Sequence, residues 1–303
     1  MKRMKPVFSL LRERQVEAAY QEPLAAHTTW KIGGPADLLI TPSSKSQLMM
    51  VLQILNEHHV PWMVMGKGSN LLVSDKGYRG AVILVNKALD YARIVGNHIY
   101  AGAGYSLIKL AALANKHRLS GLEFAGGIPG SIGGAVYMNA GANGSEISNI
   151  FHSAEVITQT GAIRSLHAVD MDFSYRHSSL QETHVIITEA IFELTLRDSE
   201  SIKLQWNQYK EKRLKTQPLP FDCAGSVFRN PPGYFAAKLI EDAGLKGMRY
   251  GGAEVSSKHA NFIMNTGNAT ALDVWTLMRQ IQEKVHSQSG IHLVPEVVIV
   301  GEQ

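Results

Sequence analysis

Two stretches of this 303-residue chain can do chemistry through bare backbone: Gly66-Lys67-Gly68-Ser69-Asn70, and the longer run Gly126-Gly127-Ile128-Pro129-Gly130-Ser131-Ile132-Gly133-Gly134. A glycine-rich turn after a buried strand lets several N–H groups converge on one anion, the nest geometry used for phosphates. The first stretch is not a Walker loop. That motif needs Ser or Thr after its Lys and a Gly five residues before its Gly-Lys pair, and here those positions hold Gly68 and Pro61. The dinucleotide fingerprint fails as well, because Leu71 and Leu107 stand where the third glycine after Gly66-x-Gly68 and Gly102-x-Gly104 belongs. A plain tight turn is the bland alternative for the first stretch, and an irregular loop for the second. Loops as long as the second are uncommon in compact domains unless they serve a function. Two anion-capable loops in one domain favour a large ligand that carries a diphosphate.

Other reactive side chains are isolated, and each has an ordinary structural reading. Arg176, in Ser174-Tyr175-Arg176-His177-Ser178, would by itself be a surface or ion-pair residue. Ser226 follows Gly225 in a turn-prone segment without the Gly-x-Ser-x-Gly elbow of an acyl-enzyme serine. Glu296, between Pro295 and the apolar Val297, would by itself be a solvent-facing strand residue. Cys223 is the only cysteine, which excludes an intrachain disulfide and a cysteine-based zinc site. The 12 histidines show no pair with metal-ligand spacing, so no metal is expected.

The elements that must position these residues follow from periodicity. Residues 44–57 have apolar residues at helical spacing (Leu48, Val51, Leu52, Leu55), with Ser43 or Ser44 as cap. Residues 62–65, 81–85 and 98–101 read as strands, and 106–117 as an amphipathic helix. Residues 154–158 and 163–166 flank Gln159-Thr160-Gly161 as a hairpin, and 185–196 is the longest strand candidate. A charged helix follows the polar break at 197–201 and stops before Pro218 and Pro220; the domain boundary is placed in this region. Beyond it come a short helix over 235–242 ended by Gly244 and a strand over 261–264. A helix then opens on a capping box at Thr270 and Asp273, with Leu272, Val274, Trp275, Leu277, Met278, Ile281 and Val285 in its apolar positions. Residues 297–300 close the chain as a strand. The class is α+β.

Composition narrows the partners. At 45% apolar and 18% charged residues of mixed sign, the chain has the material for two cores and no disordered tail. The net charge of +4 is mild, and the one basic cluster, residues 210–215, reads as the solvated face of a helix rather than a nucleic-acid footprint. A small anionic substrate suits this balance better. The basic start lacks the apolar run of a signal peptide, and no stretch approaches the ~18 apolar residues of a membrane helix. A cytoplasmic protein, with neither nucleic-acid nor membrane partner, is expected.

Six segments, in order, resemble the pattern of bacterial UDP-N-acetylenolpyruvoylglucosamine reductases. They are His27-Thr-Thr-Trp-Lys-Ile-Gly-Gly-Pro-Ala-Asp37, Gly66-Lys-Gly-Ser-Asn-Leu-Leu72, Gly126 to Gly134, Ser174-Tyr-Arg-His-Ser178, Ala224-Gly-Ser-Val-Phe-Arg-Asn-Pro231 and Pro295-Glu-Val297. The resemblance spans Pro23 to Gly301 and is most similar to the compact type II subgroup, which lacks an extra tyrosine-bearing substrate loop. It implies an FAD-binding domain of the vanillyl-alcohol-oxidase (PCMH) type in two subdomains, followed by a smaller α+β substrate-binding domain. The expected division is 1–200 (core about 30–196) and 201–303. The implied reaction reduces the enolpyruvyl ether of a UDP-sugar to a lactyl ether with NADPH through FAD. Its product, UDP-N-acetylmuramate, serves peptidoglycan synthesis and so cell-wall biogenesis, cell shape and division.

The resemblance also assigns roles. Gly66, Lys67, Gly68, Ser69 and Asn70 would wrap the FAD diphosphate; Gly126, Gly127, Ile128, Pro129, Gly130, Ser131, Gly133 and Gly134 would run along the isoalloxazine and pyrophosphate. Residues 66–70 contain no histidine for a covalent tether, so the FAD is expected to be dissociable. Arg176, Ser226 and Glu296 would be catalytic. Reduction of the vinyl ether builds negative charge on the carbon next to the carboxylate, and Arg176 offers a permanent forked cation to it. Ser226 would give that carbon its proton, which a weak acid can do only for a very basic carbanion in a dry site. Glu296 is expected to carry or share a proton when substrate binds, since a bare carboxylate would repel the enediolate. Tyr175, Arg229, Asn230, Tyr234, Lys258 and His259 are candidates for the UDP-sugar, and a monomer is expected. Two rivals stand beside this reading: a hydroxy-acid oxidase of the same superfamily, and a flavin-free nucleotide-sugar-binding module.

Overall fold

The computed structural model describes residues 4–219 and 221–302; Met1 to Arg3, at the basic start, Pro220 and Gln303 lie outside it. The chain divides into two compact units that are interleaved in sequence. The first comprises residues 1–20, 38–67 and 80–213, the second residues 21–37, 68–79 and 214–303.

The first unit is built on α1 (Met4–Glu13), α2 (Lys45–Glu57), α3 (Leu107–Lys116), α4 (Ile132–Tyr137) and most of α5 (Ser199–Thr216). Ser44 caps α2 by accepting from Gln47 N at 3.1 Å, as its position before the apolar series predicts. One sheet has four strands in the order Glu17–Pro23, Pro35–Thr41, Tyr78–Leu84 and Trp62–Met65, its last pair parallel. A second, antiparallel sheet runs Ile163–His167, Phe151–Thr158, Val185–Glu193, His98–Gly102, Ala92–Val95. Leu48, Leu52 and Leu55 of α2 and Leu107, Leu110 and Ala114 of α3 are buried in a common core with Phe151 and Phe192 of the sheet. Burial of an aliphatic or aromatic side chain of this kind is worth about 1.5–3 kcal/mol.

Two expectations are corrected here. The strand predicted over 185–196 stops at Glu193, because the N–H of Leu194 donates to Asn97 O at 2.9 Å and turns the chain; Thr195–Leu196 then pairs with Leu119–Ser120. The charged helix begins within the expected polar break, where Asp198 accepts from Ser201 N at 2.8 Å. Ile202 is its one buried residue, so the basic cluster lies on a largely exposed helix, as predicted.

The second unit packs α6 (Ala236–Asp242) and α7 (Ala271–Ser289) on a three-stranded sheet, Arg249–Tyr250, Ala253–Val255 and Ile263–Asn265. Trp30, Phe228, Val274, Leu277, Met278, Ile281 and Val285 form its core. The capping box is present: Asp273 N donates to Thr270 Oγ1 at 3.1 Å and Thr270 N to Asp273 Oδ2 at 3.0 Å. A second carboxylate reinforces this end, as Asp75 accepts from the N–H groups of Ala271 (2.8 Å) and Leu272 (3.0 Å). Leu272, expected on the apolar face, is 62% exposed, since the first turn of α7 presents it to solvent. The strand expected over 261–264 is displaced to Ile263–Asn265, because the Asn261 side chain pairs with Phe228. A short parallel ladder joins Leu71–Val73 to Val298–Val300. No helix among the described residues is long and apolar enough to cross a membrane.

Candidate active site

In the first unit, the strand Trp62–Met65 delivers the chain into Gly66, and Ser131 lies against it. A Cβ on Gly66 would sit 2.2 Å from Ser131 Oγ, so only glycine lets these segments approach so closely. Ser131 also caps α4, accepting from Gly134 N at 3.4 Å, while Ile132 N and Gly133 N donate to Tyr105 O (2.9 Å) and Ala103 O (2.8 Å). Gly66, Ser131, Gly133 and Gly134 are thus brought together. Gly126 and Gly127 also lie against α5. A Cβ on Gly126 would meet the Trp206 ring at 2.6 Å and one on Gly127 the Arg213 Cδ at 2.5 Å, so these glycines seat α5. Ile128 N closes a turn onto Ala125 O, and Gly130 O accepts from the first residue of α3, on either side of the exposed Pro129.

In the second unit, Gly68 has φ +60°, and its carbonyl accepts from Thr29 N at 3.4 Å. Thr29 Oγ1 is buried, with no hydrogen-bond partner among the described residues. Backbone that excludes side chains and an unpaired buried hydroxyl fit a phosphate-bearing ligand such as FAD. Lys67, Ser69 and Asn70 complete this stretch, and Asn70 is also fastened to the chain's end, as follows.

Ser226 and Glu296 are brought together in this unit. Gly225 takes φ +81° in open space and turns the chain into Ser226. The carbonyl of Val227, the next residue, accepts from Glu296 N at 2.7 Å, and Phe228 bridges to Pro295. Asn70 locks the same point from the other side: its Nδ2 donates to Glu296 O at 3.0 Å, and its carbonyl accepts from Val298 N at 2.9 Å. Asn261, only 3% exposed, accepts from Phe228 N at 3.0 Å and donates to Phe228 O at 2.8 Å through its side-chain amide, while its carbonyl accepts from Val227 N at 2.8 Å. Cys223 packs half-buried against the core nearby.

Arg176 belongs to the first unit, at the tip of a tight turn closed by Ser174 N–H to His177 O (3.2 Å) and His177 N–H to Ser174 O (3.0 Å). It takes φ +56°, a left-handed conformation unusual for a long side chain. Its Nη2 donates to Gly141 O at 2.7 Å, and its guanidinium lies 4.9 Å from the centroid of the exposed Tyr175 ring. This orients a fixed cation of the kind that binds carboxylates.

The expected substrate residues all lie in the second unit apart from Tyr175. Arg229 N donates to Val294 O at 2.8 Å, and its Nε is buried without a hydrogen-bond partner among the described residues. Asn230 Oδ1 accepts from Ala236 N at 3.0 Å, so this side chain starts α6. Tyr234 is exposed. Lys258 Nζ donates to Leu214 O at 2.7 Å. His259 is a packed imidazole: its ring meets Phe262 edge-on at 4.7 Å, and Nδ1 accepts from Asn261 N at 3.3 Å. Burial lowers its pKa, which favours the neutral ring.

Asn139, Gln181, Asn261 and Asp75 support these residues, and sequence reasoning missed all four. One signal was available: an asparagine directly after an apolar helical segment is a helix-terminating residue, and Asn139, with φ +43°, ends α4 that way.

The family model for the C-terminal domain of UDP-N-acetylenolpyruvoylglucosamine reductase matches residues 217–300, and that for an FAD binding domain matches residues 36–167. The chain is 47% identical over 300 residues to the UDP-N-acetylenolpyruvoylglucosamine reductase of Bacillus velezensis, covering 98% of this chain and 99% of that protein. The protein of that name from Bacillus subtilis is 46% identical over 300 residues, with the same coverage. Among solved structures, the UDP-N-acetylenolpyruvylglucosamine reductase of Thermus caldophilus is similar with a TM-score of 0.80 at 36% identity, covering 94% of this chain and 99% of that one. An FAD-binding domain of the expected type followed by a smaller α+β domain is therefore the architecture. Agreement of this extent means that the chain belongs to the UDP-N-acetylenolpyruvoylglucosamine reductase family and is an FAD-containing oxidoreductase.

Proposed function

We propose that this chain reduces the enolpyruvyl ether of UDP-N-acetylglucosamine to the lactyl ether with NADPH, giving UDP-N-acetylmuramate for peptidoglycan precursors in the cytoplasm. We take it to act as a monomer. The observation that carries this reading is identity of 47% along nearly the whole chain with a reductase of that name. Local geometry supports it: Ser226 and Glu296 are fastened beside one another through the Val227 carbonyl, and the Arg176 guanidinium is anchored at the tip of its turn.

Residues 66–70 and 126–134 would hold the FAD, with Gly66 and Ser131 packed against each other. When bound, FAD supplies two-electron transfer from NADPH to the double bond of the substrate. The protein's own residues then govern charge and proton. Arg176 receives the substrate carboxylate as it gains enediolate character; a preorganised donor of this kind is worth about 2.7–4 kcal/mol. Ser226 Oγ donates its proton to the carbon that bears the carboxylate. Glu296 acts next to that hydroxyl, with its main chain immobilised on both sides, and holds a proton so that no second carboxylate faces the enediolate. Arg229, Asn230, Tyr234, Lys258, His259 and Tyr175 remain the proposed contacts for the UDP-sugar, with Asn230 and His259 restricted to whatever their packing leaves available.

The test is anaerobic stopped-flow spectroscopy of the holoprotein. NADPH should bleach the flavin, and the enolpyruvyl UDP-sugar should restore its colour with one equivalent of UDP-N-acetylmuramate formed. Bleaching by lactate or glycolate, with recovery only in oxygen, would replace this reading with the oxidase. Acid precipitation should leave the yellow colour in solution; a yellow pellet would contradict dissociable FAD.

A further inference from the structure

We infer that Asn139 is the positioning residue for Arg176, assisted by Gln181; this rests on the role for Arg176 proposed above. The Asn139 side chain is fully buried, and it joins three segments of the first unit. Its Oδ1 accepts from Ser148 N at 2.9 Å, and its Nδ2 donates to Glu146 Oε1 (2.9 Å) and to Ser174 O (2.9 Å). Ser174 is the first residue of the turn that carries Arg176. Glu146 is paired with Gly141, and the Gly141 carbonyl is the acceptor for Arg176 Nη2. One amide thus fixes both the turn from which the arginine springs and the hairpin to which its guanidinium is tied.

Gln181 performs the complementary task at the arginine's own backbone. Its Nε2 donates to Arg176 O (3.1 Å) and to Tyr137 O (3.0 Å), the last residue of α4, so the left-handed residue is tied to the same helix end that Asn139 terminates. Ser178, fully buried, donates to that Tyr137 carbonyl at 2.7 Å. A left-handed, β-unbranched but bulky residue is strained by itself and persists where its surroundings over-determine it. Here the surroundings are two side-chain amides, both aimed at the turn.

Replacement of Asn139 by Ala removes the donor to Ser174 O and keeps Arg176 itself. The expected result is a 10- to 50-fold slower reoxidation of the reduced protein by the enolpyruvyl UDP-sugar, with flavin reduction by NADPH changed less than about twofold. Gln181→Met, at a half-buried position, should disturb the packing less than Asn139→Ala and give a smaller loss of the same kind, about 3- to 10-fold. In an Arg176→Lys background, either change should add less than about twofold, because the group it positions is gone. A readout independent of turnover is the guanidinium resonances of protein labelled with 15N-arginine, with Arg176 assigned by its loss in Arg176→Lys. Its Nη signals should be separate in the parent and averaged in Asn139→Ala.

Equal slowing of both half-reactions, full additivity with Arg176→Lys, or unchanged Arg176 resonances in both variants would overturn the inference and reduce Asn139 to a packing residue. Normal reoxidation in Arg176→Lys itself would remove the proposed role of Arg176, and this inference with it. Slow reoxidation in Arg176→Lys alongside normal Asn139→Ala and Gln181→Met would leave that role standing and sink only the inference.

Discussion

In the second unit, Ser226 and Glu296 are held mainly by main-chain hydrogen bonds: Glu296 N to Val227 O, Val227 N to Asn261 O, Arg229 N to Val294 O and Val298 N to Asn70 O. In the first unit, the Arg176 turn closes on itself through main-chain bonds between Ser174 and His177, but it is tied to its surroundings by side chains, through the amides of Asn139 and Gln181 and the arginine's own bond to Gly141 O. Each region contains a buried asparagine, yet Asn261 works as a surrogate strand beside Phe228 while Asn139 is a junction among three segments. Main-chain bonds survive most substitutions at the residues that make them. Side-chain bonds do not, so the placement of the arginine should be the more fragile of the two. On the roles proposed above, a proton donor tolerates little displacement from its acceptor whereas a cation acts over a longer range, and the stiffer hold falls on the group with the stricter geometry.

The largest effect expected of that difference is at Ser226. Ser226→Ala should slow reoxidation by the enolpyruvyl substrate by about 10²- to 10⁴-fold, the usual contribution of a positioned acid, and leave reduction by NADPH within about twofold. Because the main chain around it is self-supporting, its melting temperature should stay close to that of the parent. Equal slowing of both half-reactions would remove Ser226 from the role of donor, and with it the reason for a stiff hold there.

Next in size is a pair of substitutions that separates side-chain from main-chain anchoring within the second unit. Asn261→Ala leaves Phe228 N–H and C=O buried without partners, each costing about 1–3 kcal/mol. Asn70→Ala removes only the amide donor to Glu296 O and keeps the main-chain bond to Val298, so about 1 kcal/mol or less should be lost. Urea denaturation of the two variants measures both. A loss in Asn70→Ala as large as that in Asn261→Ala would show that the ladder Leu71–Val73 with Val298–Val300 depends on a side chain after all.

How much of this was legible in the sequence differs between the regions for the same physical reason. The capping box of α7, the Ser44 cap of α2 and the hairpin around Gly161 are local devices, and spacing alone identifies them. The hairpin joining Gly141–Ala142 to Ser145–Glu146 was equally readable, since Asn143 and Gly144 carry the positive φ values (+56° and +83°) that an Asn-Gly turn demands, although no strand was expected there. Glu296 beside Val227, Asp75 on α7 and Asn139 beside Ser174 join residues 35 to 196 positions apart, or are reached only through the fold, and no periodicity records them. The glycines show the limit most clearly. Gly66 and Gly126 look alike as letters, but one is required by Ser131 and the other by the ring of Trp206.

The smallest expected effect concerns pH and sharpens the comparison at its weakest side-chain link in the second unit. His259 Nδ1 accepts from Asn261 N at 3.3 Å, which only an unprotonated nitrogen can do. Burial lowers the pKa of this imidazole below its ordinary value. The unfolded chain therefore binds a proton that the folded chain refuses, and stability must fall as pH drops below about 6.5 and on towards the folded pKa. Above that range the contribution is fully present and flat. Protonation would also remove the acceptor for Asn261 N, so acid should loosen the segment that carries Phe228 and Val227. In His259→Gln the unfolding free energy should fall less between pH 7 and 5 than in the parent. Hydrogen exchange at Val227 and Phe228 should quicken in the parent over the same interval, while exchange at His177 in the arginine turn should not. An identical pH slope in parent and variant would mean that the ring titrates alike in both states, and that Asn261 needs no help from its neighbour to hold Ser226 in place.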